Sequence, residues 1–520
     1  MSVQRNSIPL FKIPKAEFYS AVPMEKLLKE LQQAALQRET RRHFLHTCST
    51  GLGAMALSSV LAGCGFFGRK DEPSADLPTL NDPMSPRSAQ YAPKPQRVIY
   101  IHLAGSPSQL ELFDYKPELQ KYHGKDCPQE LLTGKKFAFI RGVPKMLGPQ
   151  GKFAQHGQSG AWVSDYLPHL QGVVDDITFL KAMHTDQFNH APVQLMMHTG
   201  SARLGRPSIG SWVTYGLGTE NDNLPGFIVL ASGGKQPDAG KSVWGSGFLP
   251  SVYQGVQCRT DGDPVLYVSD PEGMPRDIRK QTIEAINQVN QQQYEEVKDP
   301  EILTRISQYE MAFRMQMSVP DAMDIKGEPK YMLDMYGADP EQGSFARNCL
   351  LARRLVERGV RFVQLFDWGW DTHGTSKDGS IDAGLREKCR QSDQAVAALL
   401  TDLKQRGLLD ETLVVWGGEF GRTPMQENRD GQVLPFMGRD HHLDAFTVWM
   451  AGGGVKRGLS YGETDDIGYY AVKDKVHVHD LQATILHLLG FDHTKLTYQF
   501  QGRPFRLTDV AGKVITPILA

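Results

Sequence analysis

Asp371 and His373, then Glu419, then Arg439-Asp440-His441-His442 gather carboxylates and imidazoles into three short clusters. Carboxylate oxygen and neutral imidazole nitrogen are donors that zinc, manganese and iron accept, so the residue types suit a divalent metal centre. Singly, each has a plainer reading: a glutamate caps a helix, an aspartate pairs with an arginine, histidines cover a core edge. Two clusters, however, directly follow apolar runs that read as strands. Leu413 to Trp416 leads through Gly417-Gly418 to Glu419, and Arg361 to Phe366 leads through Asp367 to the stretch WDTHG, which carries Asp371 and His373. Short runs that are apolar on both faces fit inner strands of a parallel sheet. Ligands in open α/β sheets sit beyond the carboxyl ends of such strands, where glycine lets a backbone approach closely. The candidate metal ligands are therefore Asp371, His373, Glu419, His441 and His442, and Arg422 and Arg439 are candidates to hold an anion.

The elements that must position these residues begin at Arg97, with the strand RVIYIHL running into the turn Ala104-Gly105-Ser106. Short residues there would expose N–H groups as an anion or metal cradle, with Glu111 and Asp114 just beyond. A second strand, ITFLKAM, ends at His184-Thr185-Asp186. Asn189 and His190 then open a helix that closes on Gly200. A helix N-terminus favours anions. Phe227 to Leu230 and FTVWMA from Phe446 are further strands, and Asp480 is placed to cap the helix LQATILHLLG. Residues 271–322 are polar and helix-patterned, and read as a helical insertion with a solvated face.

At 520 residues the chain can bury a large core. A formal net charge of −2, without a basic block, gives no footprint for nucleic acid. Six scattered cysteines never form a C-x-x-C, which argues against a thiolate zinc site and a disulfide scaffold.

Residues 1–63 read as an N-terminal extension with a twin-arginine export signal: Arg41-Arg42, a weakly apolar run from Gly51 to Gly63, then a lipobox-like Leu61-Ala62-Gly63-Cys64. Lipidation at Cys64 would anchor the exported protein. Residues 64–96, rich in Pro, Ser and Asp, read as a flexible tether, with the domain proper at 97–520. No later stretch has the roughly 20 uninterrupted apolar residues of a spanning helix. The expected location is periplasmic or membrane-anchored, reached through the twin-arginine translocase.

Several long motifs in order, among them FAQHGQSGAWVS, GRPSIGSW, GLGTENDNLPGF, WDTHG, GGEFGRTP, GRDHH and HVHDLQATILHLLGFDH, resemble the bacterial family catalogued as domain of unknown function 1501. That resemblance implies a sulfatase-like, alkaline phosphatase-like α/β fold: a mostly parallel sheet sandwiched between helices, with one or two divalent metals, zinc, manganese or calcium. LVVWGGEFG resembles the segment that delivers a metal-binding Asp, with Glu419 in its place and Phe420 where His or Asn is expected. NHAPVQLMMHTG resembles the sulfatase nucleophile signature C-x-P-x-R, with Pro192 retained, His190 at the cysteine and Gln194 at the arginine. No formylglycine can form there. At that position His190 would orient a metal or water with help from His184 and Asp186, fill the pocket, or attack the ester itself.

Two functions follow from these expectations. One is an exported metal-dependent hydrolase of phosphate or sulfate esters, acting on a small anionic ester or a sulfated or phosphorylated polymer. The other is a lipoprotein that keeps the fold, has lost turnover, and binds a ligand or partner.

Overall fold

The computed structural model of the chain describes residues 83–259, 276–429 and 431–520. All of these belong to the unit Pro73–Ala520. Arg41, Arg42 and Cys64, on which the export and anchoring expectations rest, lie outside the described residues.

The core is one nine-stranded sheet. In chain order its strands are β1 (Arg97–Ala104), β2 (Ile177–His184), β3 (Phe227–Ser232), β4 (Val256–Cys258), β5 (Phe362–Trp368), β6 (Thr412–Gly417), β7 (Phe446–Ala451), β8 (Leu459–Tyr461) and β9 (Val476–His477). Across the sheet they lie in the order β8-β2-β7-β6-β1-β5-β3-β4, with β9 also paired to β2. β1 sits between β5 and β6, parallel to both. Only β7 is reversed, antiparallel to β2 and to β6. The carboxyl ends of β1, β2, β5 and β6 therefore share one edge with the amino end of β7.

Alternate residues of β1 enter two separate cores, as a strand buried on both faces requires. Ile99, Ile101 and Leu103 pack with Leu350 and Leu355 of α5 (Phe345–Glu357) and with Leu399 and Leu403 of α6 (Arg386–Gln405). Val98 and Tyr100 face the other core, built with α1 (His190–Thr199), α2 (Ile209–Leu217) and α7 (Val478–Leu488). The architecture is thus a mostly parallel sheet between two helical layers. α3 (Arg276–Val297) and α4 (Pro300–Met323) form a helical pair that spans most of the 271–322 segment.

Helix entries follow local side-chain chemistry. Ser208 and Ser344 accept hydrogen bonds from Ser211 N and Arg347 N at the starts of α2 and α5. Asp480, expected as the cap of α7, is instead three residues inside it. His477 is the cap: its ring accepts from His479 N, and Asp480 reaches back to His477 N, a reciprocal capping box.

The expectation of a free tether running to residue 96 is corrected over residues 83–96. Arg87 N donates to Leu217 O, Tyr91 N to Gly490 O, Lys94 N to Leu488 O and Gln96 N to Glu411 O. The Arg87 guanidinium also holds Pro83 O and Tyr215 O. Low apolar content hid this, because hydrogen bonds to the ends of α2 and α7 and to the turn before β6 fix the segment, with Met84 and Ala89 adding apolar contact to the core. Among the described residues no helix is long and apolar enough to cross a membrane.

Candidate metal centre

At the shared sheet edge, His190, Asp371, His373 and His441 bring one donor atom each within 4.8 Å of one another. Each arrives by a different route. Asp371 and His373 follow β5, and His190 is the first residue of α1, after β2. His441 belongs to a two-residue strand, His441–His442, paired with Gly421–Arg422 just beyond β6. Because β7 is reversed, the chain leading into it passes over the same edge.

The hydrogen-bond network assigns the tautomers. His190 Nδ1 donates to Glu419 Oε1 at 2.7 Å, His441 Nδ1 donates to Phe188 O at 2.7 Å, and His373 Nδ1 is tied to Glu427 Oε2. With all three Nδ1 atoms committed to acceptors, the neutral rings turn their Nε2 lone pairs inward. His441 Nε2 and His373 Nε2 are 3.1 Å apart. His373 Nε2 is 2.9 Å from Asp371 Oδ1, and His190 Nε2 is 3.5 Å from Asp371 Oδ2 with no hydrogen-bond partner. Lone pairs and a carboxylate that converge in this way repel unless a proton or a cation lies between them. Carboxylates that fix the remote nitrogen of a ligating imidazole are a regular feature of metal sites.

The titration behaviour reflects the same crowding. Burial opposes charge on His190, but the Asp371 and Glu419 carboxylates prevail and lift it to about 9. His373 is raised in the same way, against burial, by Asp371 and Glu427. His441 falls to about 4, through burial and through the neighbouring cations of Arg422, His190 and His373, despite Asp371. Asp371 is held far below the usual carboxylate range: burial is outweighed by Arg422 and the three rings. The group therefore holds protons when no cation is bound, and a divalent cation would replace them.

Three ring nitrogens and one carboxylate oxygen fit zinc, manganese or iron. They do not fit calcium, which takes six to eight oxygen ligands. The group opens outward at Asp371, whose side chain keeps 29% of its exposure, while His441 keeps 3%.

Several expected roles are displaced. Glu419 is fully buried behind His190, where Oε1 also accepts from Gly105 N at 3.1 Å and Gln194 Nε2 at 3.2 Å, and Oε2 lies 3.3 Å from His102 Nε2. It orients His190 instead of joining the donor group, and the Gly105 turn serves it instead of an anion. Gly105 has φ 101°, and a Cβ there would lie 2.5 Å from Asp371 N. His442 points away: its Nε2 meets Tyr469 O and its ring stacks on Tyr469 at 4.5 Å. Adjacent residues of an extended strand face opposite sides, so His441 and His442 cannot share a site. The partners expected for His190 also differ, since Asp186 pairs with His477 at 3.2 Å and the His184 ring packs against the His477 ring at 5.1 Å.

Neither expected anion holder is available. Arg422 is buried on Ser106 O, Gly105 O, Arg439 O and Asp371 Oδ1, the last at 2.5 Å. Arg439 is buried against Glu111 Oε1 at 2.6 Å, with Thr423 O and Gly148 O completing its shell. Glu111 and Asp114, just beyond the first-strand turn, are bound to Arg439 and to Thr464 and Lys116. Residues the sequence did not single out do equal work: Glu427 and the Phe188 carbonyl fix two of the three rings.

Among solved structures, the chain is similar to the sulfatase PsFucS1 from Pseudoalteromonas sp., at 13% identity and TM-score 0.35, covering 79% of this chain and 74% of that one. It is similar to the phosphonate monoester hydrolase SpPMH from Silicibacter pomeroyi, at 13% identity and TM-score 0.31, covering 82% and 76%. It is also similar to the alkaline phosphatase from the Antarctic bacterium TAB5, at 11% identity and TM-score 0.30, covering 71% and 94%. Likeness this slight carries no residue or activity across. Among curated proteins none matches. The family described as Protein of unknown function (DUF1501) matches residues 95–519, the whole sheet and every residue of the donor group, and the chain belongs to it.

Proposed function

We propose that the protein is an exported, metal-dependent hydrolase of phosphate or sulfate esters. The observation that carries this reading is the convergence of the Nε2 atoms of His190, His373 and His441 on Asp371, each ring fixed from behind by an acceptor. A divalent cation held by those four residues would supply Lewis acidity toward an ester oxygen. Asp371 faces outward and is kept ionised by Arg422, so it stays a ligand rather than a proton donor. Buried Glu419 holds the His190 ring in its ligating orientation. Export is supported by Arg41-Arg42 and the run ending at Cys64, and a lipid anchor by the lipobox-like residues around Cys64.

The test is metal content of the purified chain after reconstitution with zinc or manganese, with hydrolysis of 4-nitrophenyl phosphate and 4-nitrophenyl sulfate. Stoichiometric metal and turnover, both lost in His373→Ala, are expected. A wild type that holds no metal sinks the reading. The departures at His190 and Gln194 from the sulfatase signature support a second reading, a binding protein without turnover. Metal retained with no hydrolysis of either ester selects it.

A further inference from the structure

Because Arg422 and Arg439 are spent inside the protein, an anionic substrate must find its cations elsewhere. A cleft of about 450 Å³ is lined by Lys135, Lys136, Arg141, Phe137, Ile140 and Phe188, with no carboxylate in its wall. Its walls are shared with the site. Phe188 O accepts from His441 Nδ1 and Ile140 N donates to the Asp440 carboxylate at 2.9 Å, while Phe139, between the wall residues Phe137 and Ile140 in the chain but not itself in the wall, sets its ring 4.8 Å from His373 and 5.6 Å from His441. Lys135 is already neutralised by Asp444 at 2.9 Å. Lys136 and Arg141 are exposed and have no carboxylate partner among the described residues; the Arg141 guanidinium donates only to the Ile140 and Ala138 carbonyls.

We propose that this cleft seats a second anionic group of the substrate, so that the natural ligand is a polyanion carrying at least one phosphate or sulfate beyond the group at the donor cluster. The inference rests on the hydrolase reading and narrows its substrate class. Two unpaired cations beside a metal centre attract anions and gain most from a ligand long enough to reach both. No carboxylate lines the cleft, and those bonded to its wall residues are already engaged, Asp444 by Lys135 and Asp440 by the Phe139 and Ile140 N–H groups. The aliphatic and aromatic wall of Phe137, Ile140 and Phe188 would cover the neutral body that links the two charged groups.

Titration calorimetry on the metal-loaded full chain compares inorganic phosphate with tripolyphosphate, and inorganic sulfate with a multiply sulfated disaccharide. The wild type should bind one of the polyanions about tenfold or more tighter than its single anion, as two charge-assisted contacts would give. Whichever pair shows the gain identifies phosphate or sulfate as the natural chemistry. Lys136→Ala with Arg141→Ala should abolish the gain and leave single-anion affinity and metal content unchanged. A polyanion advantage that survives in the double variant overturns the proposal, as does its absence in the wild type. Metal content separates the two readings: if the wild type holds no metal yet its polyanion binding still falls in the double variant, the metal centre fails and the cleft stands.

Discussion

Glu419 and Glu427 act on the donor group only through the rings they hold, and that is where the metal reading is most exposed to test. Replacing either by Gln keeps the shape but removes the charge that fixes the Nδ1 proton of His190 or His373. Such changes behind a ligating histidine lower metal affinity by about 10- to 100-fold. Competition against a chromogenic chelator should show this for Glu419→Gln and Glu427→Gln, and wild-type affinity in both would mean that the rings are not ligands. Arg439 has a structural assignment instead. It is fully buried on fully buried Glu111, so Arg439→Met should cost about 3–5 kcal/mol in urea unfolding by stranding the carboxylate. Glu111→Leu added to Arg439→Met should recover part of that loss. At this scale the sequence made Asp371, His373 and His441 legible, because acids and imidazoles stand where apolar runs stop. It could not show which guanidinium is buried, nor that Glu427 lies behind a histidine 54 positions away.

At the scale of elements, the site depends on one reversal in an otherwise parallel sheet. Strands β1, β2, β5 and β6 were readable as apolar runs, as was the helix opening at His190 and closing on Gly200. The direction of β7 was not, since an apolar run carries no sign of its orientation in a sheet. Yet that direction brings the loop Gly438 to His442 back over the edge where β5 and β6 end. The loop approaches the His373 backbone so closely that a Cβ on Gly438 would lie 1.9 Å from His373 C. Arg439 N also donates to Thr372 O at 3.1 Å, so the two loops are laced together. Gly438→Ala must push them apart and widen the separation between His373 and His441. Metal content should fall well below stoichiometric while far-UV circular dichroism stays native. Full metal occupancy in Gly438→Ala would show that the two loops need not be in register for binding.

Across the whole molecule, the donor group is joined to the sheet interior by buried polar residues. Glu419 Oε2 lies 3.3 Å from His102 Nε2, His102 Nδ1 is 3.2 Å from His198 Nε2, and His198 Nδ1 is 3.1 Å from Gln364 Nε2. His198 is fully buried, and burial, followed by His102, pushes its pKa well below the ordinary value. The unfolded chain titrates this histidine near pH 6.5, roughly the model-peptide value. Below that pH the unfolded state takes up a proton that the folded state refuses, so the unfolded state binds more protons and stability falls as pH falls. The slope from one such group is at most about 1.4 kcal/mol per pH unit. His190 acts in the opposite sense in the metal-free chain: its raised pKa adds stability below its unfolded value, and this is lost as pH rises through about 9. The experiment is therefore done with metal bound, by urea unfolding at several values between about pH 8 and 5.5, where a ligated His190 no longer takes part. Wild-type stability should fall on the acid side, and His198→Gln, which keeps a polar group beside His102 but cannot be protonated, should show a shallower slope whatever its absolute stability. Equal slopes in the two proteins would mean that His198 reaches water, or a proton donor, in the folded state.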